Sequence, residues 1–90
     1  MRSERWWGAY RKDIKRLVKR DYDLSKLYLI IQLLHDKESA LPPTARPHKL
    51  SGKYGGLWEC HIESDWLLIY DVTEKEVLLA STGTHADLFE

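Results

Sequence analysis

Four side chains of the chain could move protons: His48, His61, Asp65 and His85. Imidazole titrates near neutral pH and can give or take a proton; a carboxylate can take one or orient an imidazole. His61 and Asp65 lie in "GLWECHIESDWLLIY", residues 56–70, and His85 lies in "STGTHADLFE", residues 81–90. Each residue also has a plain structural explanation. Alternation along a strand puts His61 on the solvated face of a sheet, with Leu57, Glu59 and Glu63, while Trp58, Cys60 and Ile62 face the other way. Asp favours turns by bonding its own backbone, His48 sits in a loop, and His85 follows a Thr-Gly-Thr turn. His35, near the end of a helix, is assigned no chemistry. A zinc site of His48, His61, His85 and Cys60 is the competing chemistry, but Cys60 and His61 on opposite faces do not easily reach one ion. Cys60 reads instead as a small apolar core residue.

The bulk properties bound what these residues serve. Ninety residues, 43% hydrophobic and 31% charged, describe one globular domain over 1–90 with a modest core. No apolar run is long enough to span a membrane, and no signal peptide is expected ahead of the body. A single Cys excludes an internal disulfide framework and suits a reducing cytoplasm. Net charge is zero but polarised: residues 1–53 hold 13 Lys or Arg against 6 Asp or Glu, a balance of +7, and residues 54–90 hold 1 against 8, a balance of −7. Such polarity reads either as solvated helix faces or as a basic surface for nucleic acid or an acidic partner.

The elements that must position the four residues follow from periodicity. "MRSERWW" is expected to open the chain as a strand. Tyr10, Ile14, Leu17 and Val18 form a helical stripe, with Arg11, Lys12, Lys15, Arg16, Lys19 and Arg20 on the other faces. Asp23 is expected to cap a second helix whose stripe is Leu24, Leu27, Tyr28, Ile31 and Leu34, widened by Ile30 and Leu33; Pro42 and Pro43 prevent its continuation. "LPPTARPHKLSGKYGG" reads as a long loop. Strands are predicted at 57–63, 66–72 and 76–82, with a hairpin turn at 73–75 and a short helical turn after His85. The order β-α-α-β-β-β implies an α+β fold: two helices on one face of a small antiparallel sheet, with the first strand beside the last.

The segments "HKLSGKYGG", "ECHIESDWLLIY" and "TGTHADLF", with "YRKDIKRLVKRDYDLSKL" before them, resemble the YafQ-like branch of the RelE/ParE toxin superfamily from about residue 5 to 89. The resemblance implies a bacterial toxin of a type II toxin–antitoxin pair that cuts messenger RNA in the ribosomal A site, in the cytoplasm, with no metal or cofactor. It implies an antitoxin of the DinJ or RelB kind as partner. It assigns function to His48, His61, Asp65, Trp66, His85 and Phe89.

Cleavage of an RNA backbone requires a base for the 2′-hydroxyl, an acid for the departing 5′-oxygen and positive charge at the phosphate. His85 is expected as the acid or the phosphate-holding cation, His48 or Asp65 as the base, and His61 as support for the charge. Trp66 and Phe89 are expected to stack on bases or pack beneath the imidazoles. Two departures stand out: many relatives carry Arg where this chain has Trp58 and Ser81. Either cleavage is weakened or lost, or Arg46, Lys49 and Lys53 hold the phosphate instead. The competing functions are a non-cleaving toxin that binds a protein such as gyrase, and an antitoxin-binding protein that has lost cleavage.

Overall fold

The structure, a computed structural model, describes residues 2–90; Met1, part of the stretch expected as the first strand, lies outside them. Strand β1 (Ser3–Trp6) leads into helix α1 (Gly8–Lys19) and helix α2 (Leu24–His35). Then come the two-residue strand β2 (His48–Lys49), strands β3 (Trp58–Glu63), β4 (Trp66–Val72) and β5 (Glu76–Gly83), and the short helix α3 (His85–Phe89). The sheet order is β1-β5-β4-β3-β2. β1 lies beside β5 as expected, and pairs with it in parallel. The other pairings are antiparallel. The expected loop is therefore not wholly irregular: His48 and Lys49 add a fifth strand opposite Glu59 and Trp58.

Both long helices pack on one face of the sheet. Tyr10 and Leu17 of α1, with Leu27, Ile31 and Leu34 of α2, meet Cys60, Trp66, Leu68, Tyr70, Val77 and Leu79 in one core. Full burial of a leucine such as Leu27 contributes about 1.5–3 kcal/mol. Asp23 caps α2 as expected, accepting a hydrogen bond from the Ser25 N–H. The predicted stripes are too wide, however. Val18 is 57% exposed and Tyr28 is 49% exposed, while Asp13, an acid, is buried on α1.

The opposite face is not open, as the polar set Glu59, His61 and Glu63 had suggested. A second apolar cluster of Leu67, Ile69, Ala80 and Leu88 lies there, covered by Leu50, Tyr54 and Leu57 of the loop before β3. Glu59 is buried at its margin. Because α3 and this loop clothe the second face, residues 66–70 of β4 are all buried and show no polar alternation.

Candidate active site

Asp65 lies in the turn between β3 and β4, and His85 is the first residue of α3, just beyond β5. Their elements are neighbours in the sheet, so the turn and the helix start meet. One carboxylate oxygen of Asp65, Oδ1, accepts two bonds from His85: from the backbone N–H at 3.0 Å and from the ring Nδ1 at 2.7 Å. A carboxylate only accepts, so the Nδ1 proton is fixed toward Asp65 and Nε2 is left for exchange with a substrate. These contacts, the backbone bond first, hold the Asp65 carboxyl below its ordinary pKa. Both side chains remain more than half exposed.

His61 on β3 comes next to this pair, with its ring centroid 6.2 Å from that of His85. Its Nδ1 is buried without a partner among the described residues, which leaves Nε2 as the atom able to meet a substrate. Arg46 and His61 line one open cleft, with Thr44 and Ser64. His48 stands across from Glu59 in the β2–β3 pairing. Its Nε2 lies 3.2 Å from the Glu59 carboxylate and its Nδ1 lies 3.1 Å from the Arg46 carbonyl, so both ring nitrogens face acceptors.

Rings continue the row in the other direction. Phe89, 46% exposed, has its centroid 6.3 Å from His85 and stands edge-on to Tyr54 at 5.7 Å. The Lys53 ammonium lies 5.2 Å from the Tyr54 ring centroid. Tyr54 was not foreseen; nothing in the loop sequence marks its long-range contact with Phe89. Glu59 was also missed, although its position two residues before His61 on one strand face was a usable signal.

Burial excludes base stacking, one of the two roles expected for Trp66, and leaves only packing from within. Trp66 is 1% exposed, edge-on to Tyr22 at 4.9 Å, and its indole N–H donates to Thr82 Oγ1 at 3.0 Å. It is a core residue that no base can reach. Lys49 pairs with Trp58 in register, so strand alternation turns it away from the His48 face. Cys60 is buried in the helix-side core, where burial pushes its thiol up to about 12. Ser81, at one missing-arginine position, is buried and donates to Asp13. Trp58, at the other, is half-buried against the helix-side core. Among the described residues no group of three or more His, Cys, Asp or Glu is arranged to hold a metal ion, and no helix is long and apolar enough to cross a membrane.

By comparison of the whole chain with known proteins, this fold falls among bacterial toxins of type II toxin–antitoxin systems. The family model described as the YafQ bacterial toxin of a type II toxin–antitoxin system matches residues 2–90, and the chain belongs to that family. It is 42% identical over 82 residues to the mRNA interferase toxin YafQ of Escherichia coli strain K12, covering 91% of this chain and 89% of that protein. The crystal structure of a histidine-to-glutamine mutant of E. coli YafQ matches with a TM-score of 0.92 at 38% identity, over 100% of both chains. The E. coli DinJ–YafQ toxin–antitoxin complex matches with a TM-score of 0.89 at 39% identity, over 99% of this chain and 98% of that one.

Proposed function

We propose that this protein is an endoribonuclease toxin, an mRNA interferase acting as one domain in the cytoplasm, and that it cuts messages held in the ribosomal A site. The observation that carries the reading is the Asp65–His85 pair with His61 beside it, two imidazoles whose centroids are 6.2 Å apart. His61 takes the proton from the 2′-hydroxyl. The 2′-oxygen attacks phosphorus, the bond to the 5′-oxygen breaks, and His85 protonates that leaving oxygen, yielding a cyclic phosphate and a free 5′-hydroxyl. Asp65 keeps the His85 ring oriented and stabilises its charged form.

Asp65 itself is the weaker choice of base, since Oδ1 is engaged twice and the carboxyl is held below its ordinary pKa. His48 is also a poor base where both its nitrogens face acceptors; it is assigned to substrate positioning with Glu59. Arg46 and Lys53 are assigned to phosphates, and Phe89 to a base. Trp66 supports the site only from within, and Lys49 contacts RNA only from the far rim. The chemistry rests on side-chain acid and base groups and needs no cofactor.

So few substrate-holding groups on an open surface leave positioning to the ribosome, a contribution worth several kcal/mol. A toxin of this kind needs an antitoxin, and a DinJ-like protein is the expected partner, since DinJ is the partner named in the solved E. coli complex. The set of imidazoles on one surface favours cleavage over a gyrase-binding role. Primer extension on a message translated with and without the protein tests this. New 5′ ends that require the ribosome are expected; growth arrest without such cuts would move the function to protein binding.

A further inference from the structure

Helix α1 reaches the corner where β5 becomes α3 through three residues at helical spacing: Asp13, Arg16 and Arg20. Asp13 is 5% exposed and accepts from Ser81 Oγ at 2.5 Å and from the Thr82 N–H at 3.1 Å. Arg16 pairs with Asp13 at 3.2 Å and with Asp87 at 3.5 Å. Arg20 donates twice to Asp87, at 2.8 and 3.2 Å. Asp87 in turn completes a capping box with Thr84: it accepts the Thr84 N–H at 3.0 Å, and its own N–H donates to Thr84 Oγ1 at 3.1 Å. Between Thr84 and Asp87, on the first turn of α3, lie His85 and Ala86.

We propose that Arg20, acting through Asp87, is a positioning residue for His85. The proposal rests on the reading of His85 as the proton donor. A five-residue helix does not hold itself together, so its direction must come from contacts made with the rest of the fold. Leu88 anchors one side of α3 by burial, and Asp65 bonds its first residue. The two-point guanidinium–carboxylate contact supplies what burial cannot, a fixed rotation about the helix axis, because a planar fork sets direction as well as distance. Little slack exists behind Asp87: a Cβ added at Gly83, where φ is +155°, would lie 2.9 Å from its Oδ2. The Arg20 contact, the largest cause, holds the Asp87 carboxyl down at about 2, so the pair stays ionised wherever the enzyme works. Two of the six basic residues of the segment 11–20, Arg16 in α1 and Arg20 at its C-cap, are thereby engaged within the molecule.

The test uses the full chain with Arg20→Ala, Arg20→Lys and Asp87→Asn. Single-turnover cleavage on programmed ribosomes, ribosome affinity, and amide hydrogen exchange at His85 are each measured on folded protein. Loss of the contact is expected to slow cleavage about 10–100-fold, the scale of a misplacement near 1 Å, with ribosome affinity unchanged and exchange at His85 faster. Arg20→Lys should restore part of the rate, and the Arg20→Ala/Asp87→Asn double variant should be no worse than the poorer single one. Normal cleavage and normal exchange in Arg20→Ala would overturn the proposal. A defect confined to ribosome affinity would overturn it too, making Arg20 an RNA contact. If the wild-type protein cuts no message, the underlying reading fails, and exchange at His85 alone decides whether Arg20 holds it.

Discussion

On the helix side of the sheet, Trp66 is enclosed among Tyr22, Leu68 and the two long helices, and its one polar atom is matched by Thr82. On the other side a small apolar cluster stops at a row of half-exposed rings, Tyr54, Phe89, His85 and His61. The two faces share the same strands but divide the work. The first has few degrees of freedom and fixes the strand ends; the second borrows that rigidity to hold polar groups in water, where an RNA can reach them. Trp66 and Phe89 show the contrast at its sharpest, since both are aromatic and both flank the imidazoles in sequence, yet one is 1% and the other 46% exposed.

The largest effect should come from the open face. His85→Ala is expected to reduce single-turnover cleavage about 10²–10⁴-fold. Its melting temperature should stay near wild type, because a half-exposed histidine carries little stability. A folded His85→Ala protein with near-normal cleavage would remove this residue from the chemistry and erase the division between the faces. Trp66→Ala should do the reverse: about 3–5 kcal/mol lost in denaturant unfolding, with cleavage per folded molecule much less affected. If Trp66→Ala melted normally but lost cleavage, the indole would be reaching substrate after all.

The smallest effect separates orientation from stability at Asp65. Its pKa in the folded protein lies below the ordinary value, so its contribution to stability is complete above about pH 4 and fades only as pH falls through the depressed value. The melting-temperature gap between wild type and Asp65→Asn should therefore narrow as the pH falls below about 4. A gap that failed to narrow in acid below about pH 4 would mean that Asp65 does not hold His85 as an ionised acceptor.

The α+β order, the cap at Asp23 and strands β3 to β5 were legible because each rests on local periodicity or turn chemistry. What failed was everything that depends on a distant segment. "WLLIY" does not alternate because α3 and the loop before β3 cover the second face, so the pattern could not show which side Trp66 occupies. His48 and Lys49 form a strand too short to leave a period. Asp13 falls on the buried face by spacing, three residues after Tyr10 and four before Leu17, but its charge reads as exposed; it is buried because Ser81 and Thr82, 68 and 69 residues away, supply its donors. Of the candidate site, His61, Asp65 and His85 drew notice by residue type, but only the family resemblance assigned them roles; Glu59 could have been found from its strand position, whereas Tyr54 and the Arg20–Asp87 contact could not, since their meaning lies in distant side-chain partners.

The parallel pairing of β1 with β5 has a consequence for biogenesis. Ser3 bonds Lys75 across a separation of 72 residues, and Trp7 bonds Leu79 in the same seam. While such a chain is being translated, β1 and both long helices leave the ribosome before their sheet partner exists, and their apolar stripes must wait. Non-local closure of this sort slows folding and lengthens the time spent incomplete. The Asp65–His85 pair can form only once β5 and the segment after it are free of the exit tunnel. The candidate site is therefore among the last parts of the molecule to assemble.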